Sequence, residues 1–347
     1  MRLSVTLITI WLAALIPGRA QALPVFAHRF GLSCQACHTT VPHLNAFGQA
    51  FARNGFRLPG LRQNGAMPVA VKVNLAYSSD SDPSGLPKAI VDEVELLTGG
   101  ALGNRVNYFL EQYAIDGGRP GLPRDAWVQY NAQNSNAHVR VGQFTLPLPV
   151  DPETQRDTES HYLVYDQNAG ENPFNFFDPR VGVDAYTGGG DDGDGFHLTA
   201  LSSYDRRSGN PAAGIDLMGF GAKSVGQFTL YAYRYQGQRR LRGALDEFYR
   251  EGAGARQRTG KFDLVAVLQH GHDTNADSSG GFAEAHYAFS PAFMAVARYD
   301  RISDSLRGAQ HQTVFSLVTR PARNMRLTIE DAVTDHHTLN LGWLFAY

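Results

Sequence analysis

The chain has 347 residues, a formal charge of −2 and only 18% charged residues. No basic block or stripe runs along it, so its charge excludes a nucleic-acid partner. Thirty-six glycines, 15 tyrosines and 20 phenylalanines suit many short strands and turns better than a helical fold.

The first element is a targeting segment. Arg2 supplies a positive start, and Leu3 to Ile16 is an apolar run of signal-peptide length, too short to span a bilayer. Ala20-Gln21-Ala22 offers a small-residue cleavage site. Residues 1–22 therefore read as a signal peptide, with the mature start near Leu23. No other stretch approaches the about 18 consecutive apolar residues that a membrane helix needs.

The next element, 23–62, carries both cysteines of the chain, in Cys34-Gln35-Ala36-Cys37-His38. A disulfide, a redox dithiol and an incidental metal site are the other readings of such a pair. The adjacent histidine and the export signal favour covalent haem. Each thiol adds to one vinyl group, the two-residue gap matches the vinyl separation, and His38 sits under the iron as its axial metal ligand. The expected cofactor is one covalently bound c-type haem on Cys34, Cys37 and His38. His28, His43 and Met67 are candidates for the sixth iron position, which an open site would also satisfy. Pro42 can start a helix that runs from His43 to Asn54, places Leu44, Phe47 and Phe51 on one face and ends at Gly55. With Phe26, Phe30 and Phe56 this helix forms an apolar sheath. A unit of about forty residues is marginal alone and needs a staple or a host.

From Met67 onward strands recur between turns. Val69, Val71, Val73, Leu75 and Tyr77 alternate with Ala70, Lys72, Asn74 and Ala76. At the end Leu339, Leu341, Trp343, Phe345 and Tyr347 alternate with Thr338, Asn340 and Gly342. Sixteen such segments, from 67–78 to 337–347, are separated by connections that alternate between short and long. That is the pattern of an outer-membrane barrel with apolar residues outward; a soluble sandwich would reverse the two faces. Segment 247–257, with two glycines and several charges, is the weakest strand. The turn at 188–194 is longer than the pattern wants, and 238–246 and 271–279 read as long outer loops. A barrel of this strand number is expected to leave an aqueous lumen. The longest loop, 146–179, either folds inward or covers the mouth. Its Asp151, Glu153, Asp157, Glu159 and Asp166 offer oxygen ligands to cations, or are simply solvated.

Pro24-Val25-Phe26-Ala27, Gly31, Cys34, Cys37-His38, Pro42, Leu44, Phe47-Gly48, Phe51 and Gly55-Phe56 together resemble the fused monohaem cytochrome–porin family of outer-membrane iron-oxidising cytochromes. The resemblance implies an all-β, sixteen-stranded antiparallel outer-membrane barrel at 66–347, with the small helical c-type haem segment plugging the lumen. It also implies electron transfer across the outer membrane. The donor would be extracellular Fe(II) or another reductant, and the acceptor a periplasmic c-type cytochrome or another soluble electron carrier. A diffusion porin with a structural or sensory haem plug, and a haem peroxidase-like enzyme, are the competing readings.

Overall fold

In the computed structural model the alternating segments pair in chain order, each antiparallel to the next. The structure describes residues 25–39, 43–53, 56, 58, 69–81, 87–132, 136–166, 172–190, 193–203, 214–241, 243–306, 308–322 and 324–346. The signal-peptide assignment, Pro42, Gly55 and Met67 lie outside them. The wall strands are β1 (Ala70–Ser81), β2 (Pro87–Ala101), β3 (Val106–Asp116), β4 (Pro123–Asn131), β5 (Ala137–Phe144), β6 (Arg180–Gly190), β7 (Gly193–Ser202) and β8 (Ile215–Val225). They continue as β9 (Phe228–Leu241), β10 (Ala244–Thr259), β11 (Phe262–Asp273), β12 (Ala276–Ser290), β13 (Phe293–Asp304), β14 (Gly308–Thr319), β15 (Met325–Val333) and β16 (His337–Ala346). A two-residue rung, Arg119–Pro120, pairs with β3. Strand β1 pairs with β16 from Lys72–Ala346 to Ser78–Asn340, which closes the barrel and leaves no free edge. Sixteen being even, the chain enters and leaves the wall at one rim, here the terminal rim.

The wall is inside-out relative to a soluble protein. Val128, Val141, Val183, Leu198, Leu217, Leu230, Leu317 and Ile329 are exposed on its outer face. Gln129, Asp184, Thr199, Arg298, Asp300 and Glu330 are buried on its inner face. Paired aromatics collect outside at the terminal rim: Phe262–Tyr287, tilted, at 4.8 Å, and Phe289–Phe293 and Trp343–Phe345, stacked, at 5.0 Å and 5.3 Å between ring centroids. This is the aromatic girdle of a membrane barrel.

Several boundaries differ from the sequence reading. The weak strand becomes β10, sixteen residues long and the longest in the wall. A side chain at Gly252 would strike the Tyr233 hydroxyl, and one at Gly254 would come within 2.9 Å of the Ala266 carbonyl of β11. Those glycines make room for neighbours rather than break the strand. Strand pairing runs on into the expected loops at 238–246 and 271–279, because polar residues there continue the ladder: Arg240 faces Leu245, and Asp273 faces Ala276. It also runs on into the expected turn at 188–194, with Gly190 opposite Gly193. Strand polarity past the bilayer therefore says little about where pairing stops.

Inside the terminal rim lie three short helices, α1 (Val25–Phe30), α2 (Cys34–Cys37) and α3 (Ala46–Arg53). The expected helix from His43 starts later, at Ala46. Asn45 takes the N-cap role, its side-chain oxygen accepting the Gly48 N–H at 2.9 Å. His43 and Leu44 are extended instead, and Leu44 bridges to His38. A fourth helical turn, α4 (Leu163–Asp166), lies within the long loop.

The wall generates a stability prediction. Leu341 is central in β16, on the outer face, opposite Ile329. Leu341→Arg is expected to destabilise the barrel by about 2–4 kcal/mol if the site is at the bilayer midplane, read as a shifted midpoint in denaturant titration of the lipid-folded protein. An unchanged midpoint would contradict the lipid-facing assignment.

Candidate functional site

The lumen is filled, contrary to the aqueous channel expected from strand number. The segment 145–179 turns inward, and its Leu146, Leu148, Val150, Tyr162, Val164, Tyr165, Phe174 and Phe176 are fully buried. They form one core with wall residues Trp127, Tyr233, Tyr235, Phe248, Val267 and Phe282, and with Phe51 and Phe56 of the N-terminal segment. The reason is apolar content: a loop carrying that many large hydrophobes gains more by burial than by lying in water.

Polar clasps hold the loop in place. Arg298 donates to the Thr158 hydroxyl at 2.7 Å and to the carbonyls of Ser160 and His161 at 2.9 and 3.0 Å. Glu330 accepts from the Glu159 and Ser160 N–H groups at 2.8 and 2.9 Å. Arg256 donates to Gln155, and Asn172 donates to Asp246. Arg124 pairs with Glu153 at 2.8 Å. Charged pairs of this kind, removed from water, are costly to break by removing one partner. Burial alone would raise the Glu153 carboxyl, but Arg124 and Lys72 outweigh it and bring it down to about 2.

The N-terminal segment packs onto the same core. Phe56 stacks with Phe26 at 4.2 Å and with Trp127 at 6.1 Å, and it approaches Phe109 at 5.8 Å. Phe56 has a positive φ of 58°, an uncommon conformation for a bulky residue, and this ring packing holds it there. The Leu44 N–H donates to the Thr154 carbonyl at 3.0 Å, and Arg320 donates to the Thr39 carbonyl at 2.5 Å.

Cys34 and Cys37 occupy one helical turn and are not joined to each other. Cys34 is buried against Leu344 and Ala346 of the wall. His38 follows in extended backbone, with φ −124° and ψ 139°. A Cβ at Gly48 would come within 2.2 Å of the Cys37 carbonyl, so only glycine lets α3 approach the cysteine turn this closely. Burial, with Cys34 beside it, pushes the Cys37 thiol up to about 11. Phe47, one residue from Gly48, is 43% exposed and presents an apolar face next to the turn. The donor set and this uncovered ring fit a thioether-linked haem. Of the candidate sixth ligands, His43 has its Nδ1 2.6 Å from Asp157 Oδ2 and is buried. The side chain of His28 lies outside the described residues, as does Met67.

The loop acids do not act as a group. Asp151 accepts the Glu153 and Thr154 N–H groups, Glu153 holds Arg124, Glu159 lies 3.5 Å from Arg326, and Asp166 faces His161. Asp157 meets two histidines, His43 and, at 3.4 Å, His286. The wall residues Glu284, His286, Arg298 and Glu330 were not singled out from sequence. The signal that could have found them is a charged residue in the inward phase of a strand, such as Glu284 and His286 between Ala283, Ala285 and Tyr287.

No protein-family model matches the chain, and no curated protein matches it. Solved structures do. The anion-selective porin from Comamonas acidovorans superposes with a TM-score of 0.64 at 13% identity, covering 81% of this chain and 99% of that one. OmpF of Salmonella typhi, in complex with daunomycin, gives 0.62 at 13% identity over 81% and 97%. OmpT, an outer-membrane protein of Vibrio cholerae, gives 0.56 at 9% identity over 84% and 100%. The chain has the fold of an outer-membrane porin.

The Arg124–Glu153 clasp predicts how the lumen responds to acid. A carboxyl whose folded value lies below its unfolded one stabilises fully above the unfolded value and loses that contribution as pH falls through the folded one. The loop should therefore stay closed at pH 4 and loosen toward about pH 2, seen as a rise in single-channel conductance in planar bilayers. Arg124→Ala should raise conductance already at neutral pH. Equal conductance of the variant and the parent would show that this clasp does not hold the loop.

Proposed function

We propose that this chain is an outer-membrane electron conduit: a porin-fold barrel whose N-terminal segment carries one c-type haem on Cys34, Cys37 and His38. It passes electrons from an extracellular donor such as Fe(II) to a periplasmic c-type cytochrome or another soluble acceptor. The observation that carries the reading is the filled lumen. Loop 145–179 and the N-terminal helices share one core with the wall, so the path for solutes is obstructed while the Cys-x-x-Cys-His segment sits inside the terminal rim. Haem bound there supplies a one-electron couple. The chain's own residues set its surroundings. Phe26, Phe30, Phe51 and Phe56 exclude water, and the Leu44–Thr154 and Arg320–Thr39 hydrogen bonds fix the segment to loop and wall. The terminal rim is the periplasmic one in this reading, since the longest loop, 145–179, leaves from the opposite rim.

A second reading, a diffusion porin with a structural haem plug, is favoured by the likeness to an anion-selective porin. The two separate in sealed vesicles bearing the mature protein. The conduit predicts that an impermeant external reductant reduces an acceptor trapped inside, with no swelling in small sugars. Cys34→Ala with Cys37→Ala should abolish haem that survives denaturing electrophoresis and stop the transfer. Free sugar passage through the intact protein, or haem that responds from one side only, would sink the conduit reading. Covalent haem in the double variant would sink the attachment site.

A further inference from the structure

We propose that His43, Asp157 and His286 bind one divalent first-row transition-metal ion where the N-terminal segment, the long loop and the barrel wall meet. The site is distinct from the haem motif and does not rest on the haem reading.

The three residues come from three separate parts of the chain. His43 precedes α3, Asp157 lies in loop 145–179, and His286 faces inward from β12 near the terminal rim. Yet their ligand atoms all lie within 4.8 Å of one another, and all three residues are buried. His43 Nδ1 is 2.6 Å and His286 Nδ1 is 3.4 Å from the same Asp157 oxygen, Oδ2. Two imidazole nitrogens and a carboxylate are a donor set for zinc or ferrous iron, with coordination positions left for water or a further ligand.

The surroundings are those of a metal ligand. His286 Nε2 lies 2.7 Å from Glu284 Oε1. Glu284 is fixed in turn by the Tyr162 hydroxyl at 2.9 Å and by Arg298 at 3.5 Å. With an ion bound, this carboxylate would keep the proton at Nε2 while Nδ1 gives up its own to face the metal, the arrangement of metal-bound histidines. Without an ion, His286 has a carboxylate at each ring nitrogen and Asp157 must serve two rings through one oxygen. An ion at the centre satisfies all three donors together and ties the N-terminal segment to both loop and wall.

The test uses the mature full-length protein, folded in detergent, stripped with a chelator and equilibrated with Zn(II) in dialysis. The expected result is one Zn(II) per chain, lost in His286→Ala and in Asp157→Asn. Glu284→Gln keeps all three ligands and should weaken binding about 10- to 100-fold. Heat-modifiable gel mobility reports whether each variant still folds, and the Glu284→Gln result stands even where a ligand variant does not. His272 pairs with Asp277 in the open, so His272→Ala should bind like the parent. Zn(II) should also slow proteolysis of the N-terminal segment in the parent and not in His286→Ala. Absence of stoichiometric Zn(II) in the parent would overturn the proposal, as would binding that survives His286→Ala in a folded barrel or binding that disappears in His272→Ala.

Discussion

Seven residue pairs join the first strand to the last, from Lys72 opposite Ala346 to Ser78 opposite Asn340. Every other feature depends on that seam. A bilayer offers no hydrogen bonds to backbone groups, so a strand can cross it only when both its edges are paired. Once β1 meets β16, each strand has a neighbour on both sides, and the side-chain alternation is forced into one outward and one inward set. The outward set must suit lipid, hence Leu198, Leu217, Leu317 and Ile329 in the open. The inward set is free to be polar.

That freedom creates a second problem, which the long loop solves. Inward charges such as Arg298, Asp300 and Glu330 are almost wholly buried, and buried charges need partners. Some pair within the wall, as Arg298 does with Asp300 at 2.6 Å. Others bind the backbone of the loop, as Glu330 does at Glu159 and Ser160. The loop adds large apolar side chains that fill the space between those clasps. The same residues that make the lumen wall polar thus make it adhesive, and the barrel acquires a packed interior that its width alone would not give it.

The N-terminal segment is too small to make a core of its own and uses this one. Phe51 and Phe56 join it, and Phe56 reaches the wall through Trp127. The cysteine turn is pressed to α3 at Gly48 and to β16 through Cys34. A cofactor attached there would be held by the wall and the loop as much as by the segment that carries its attachment residues.

Most of the wall was legible in the sequence, because a strand writes its orientation locally. A residue and its second neighbour share a face, so Leu339, Leu341, Trp343 and Phe345 announce the lipid side without knowledge of what pairs with them. The Cys34, Cys37 and His38 motif is local in the same way, since the haem attachment proposed for it depends on spacing within five residues. Strand ends were less so: β9 and β10 run on to Leu241 and Ala244 because each finds a partner, and pairing is not a property of one segment. Asn45 rather than Pro42 sets the start of α3 because a cap is chosen by where the chain turns. The filled lumen was decided only by the tertiary structure. Nothing near His43 in the sequence points to Asp157 or His286, 114 residues and further along. Closure of the barrel brings them together, since the direction in which loop 145–179 folds is set by Arg298, Glu330 and the apolar wall that it meets inside.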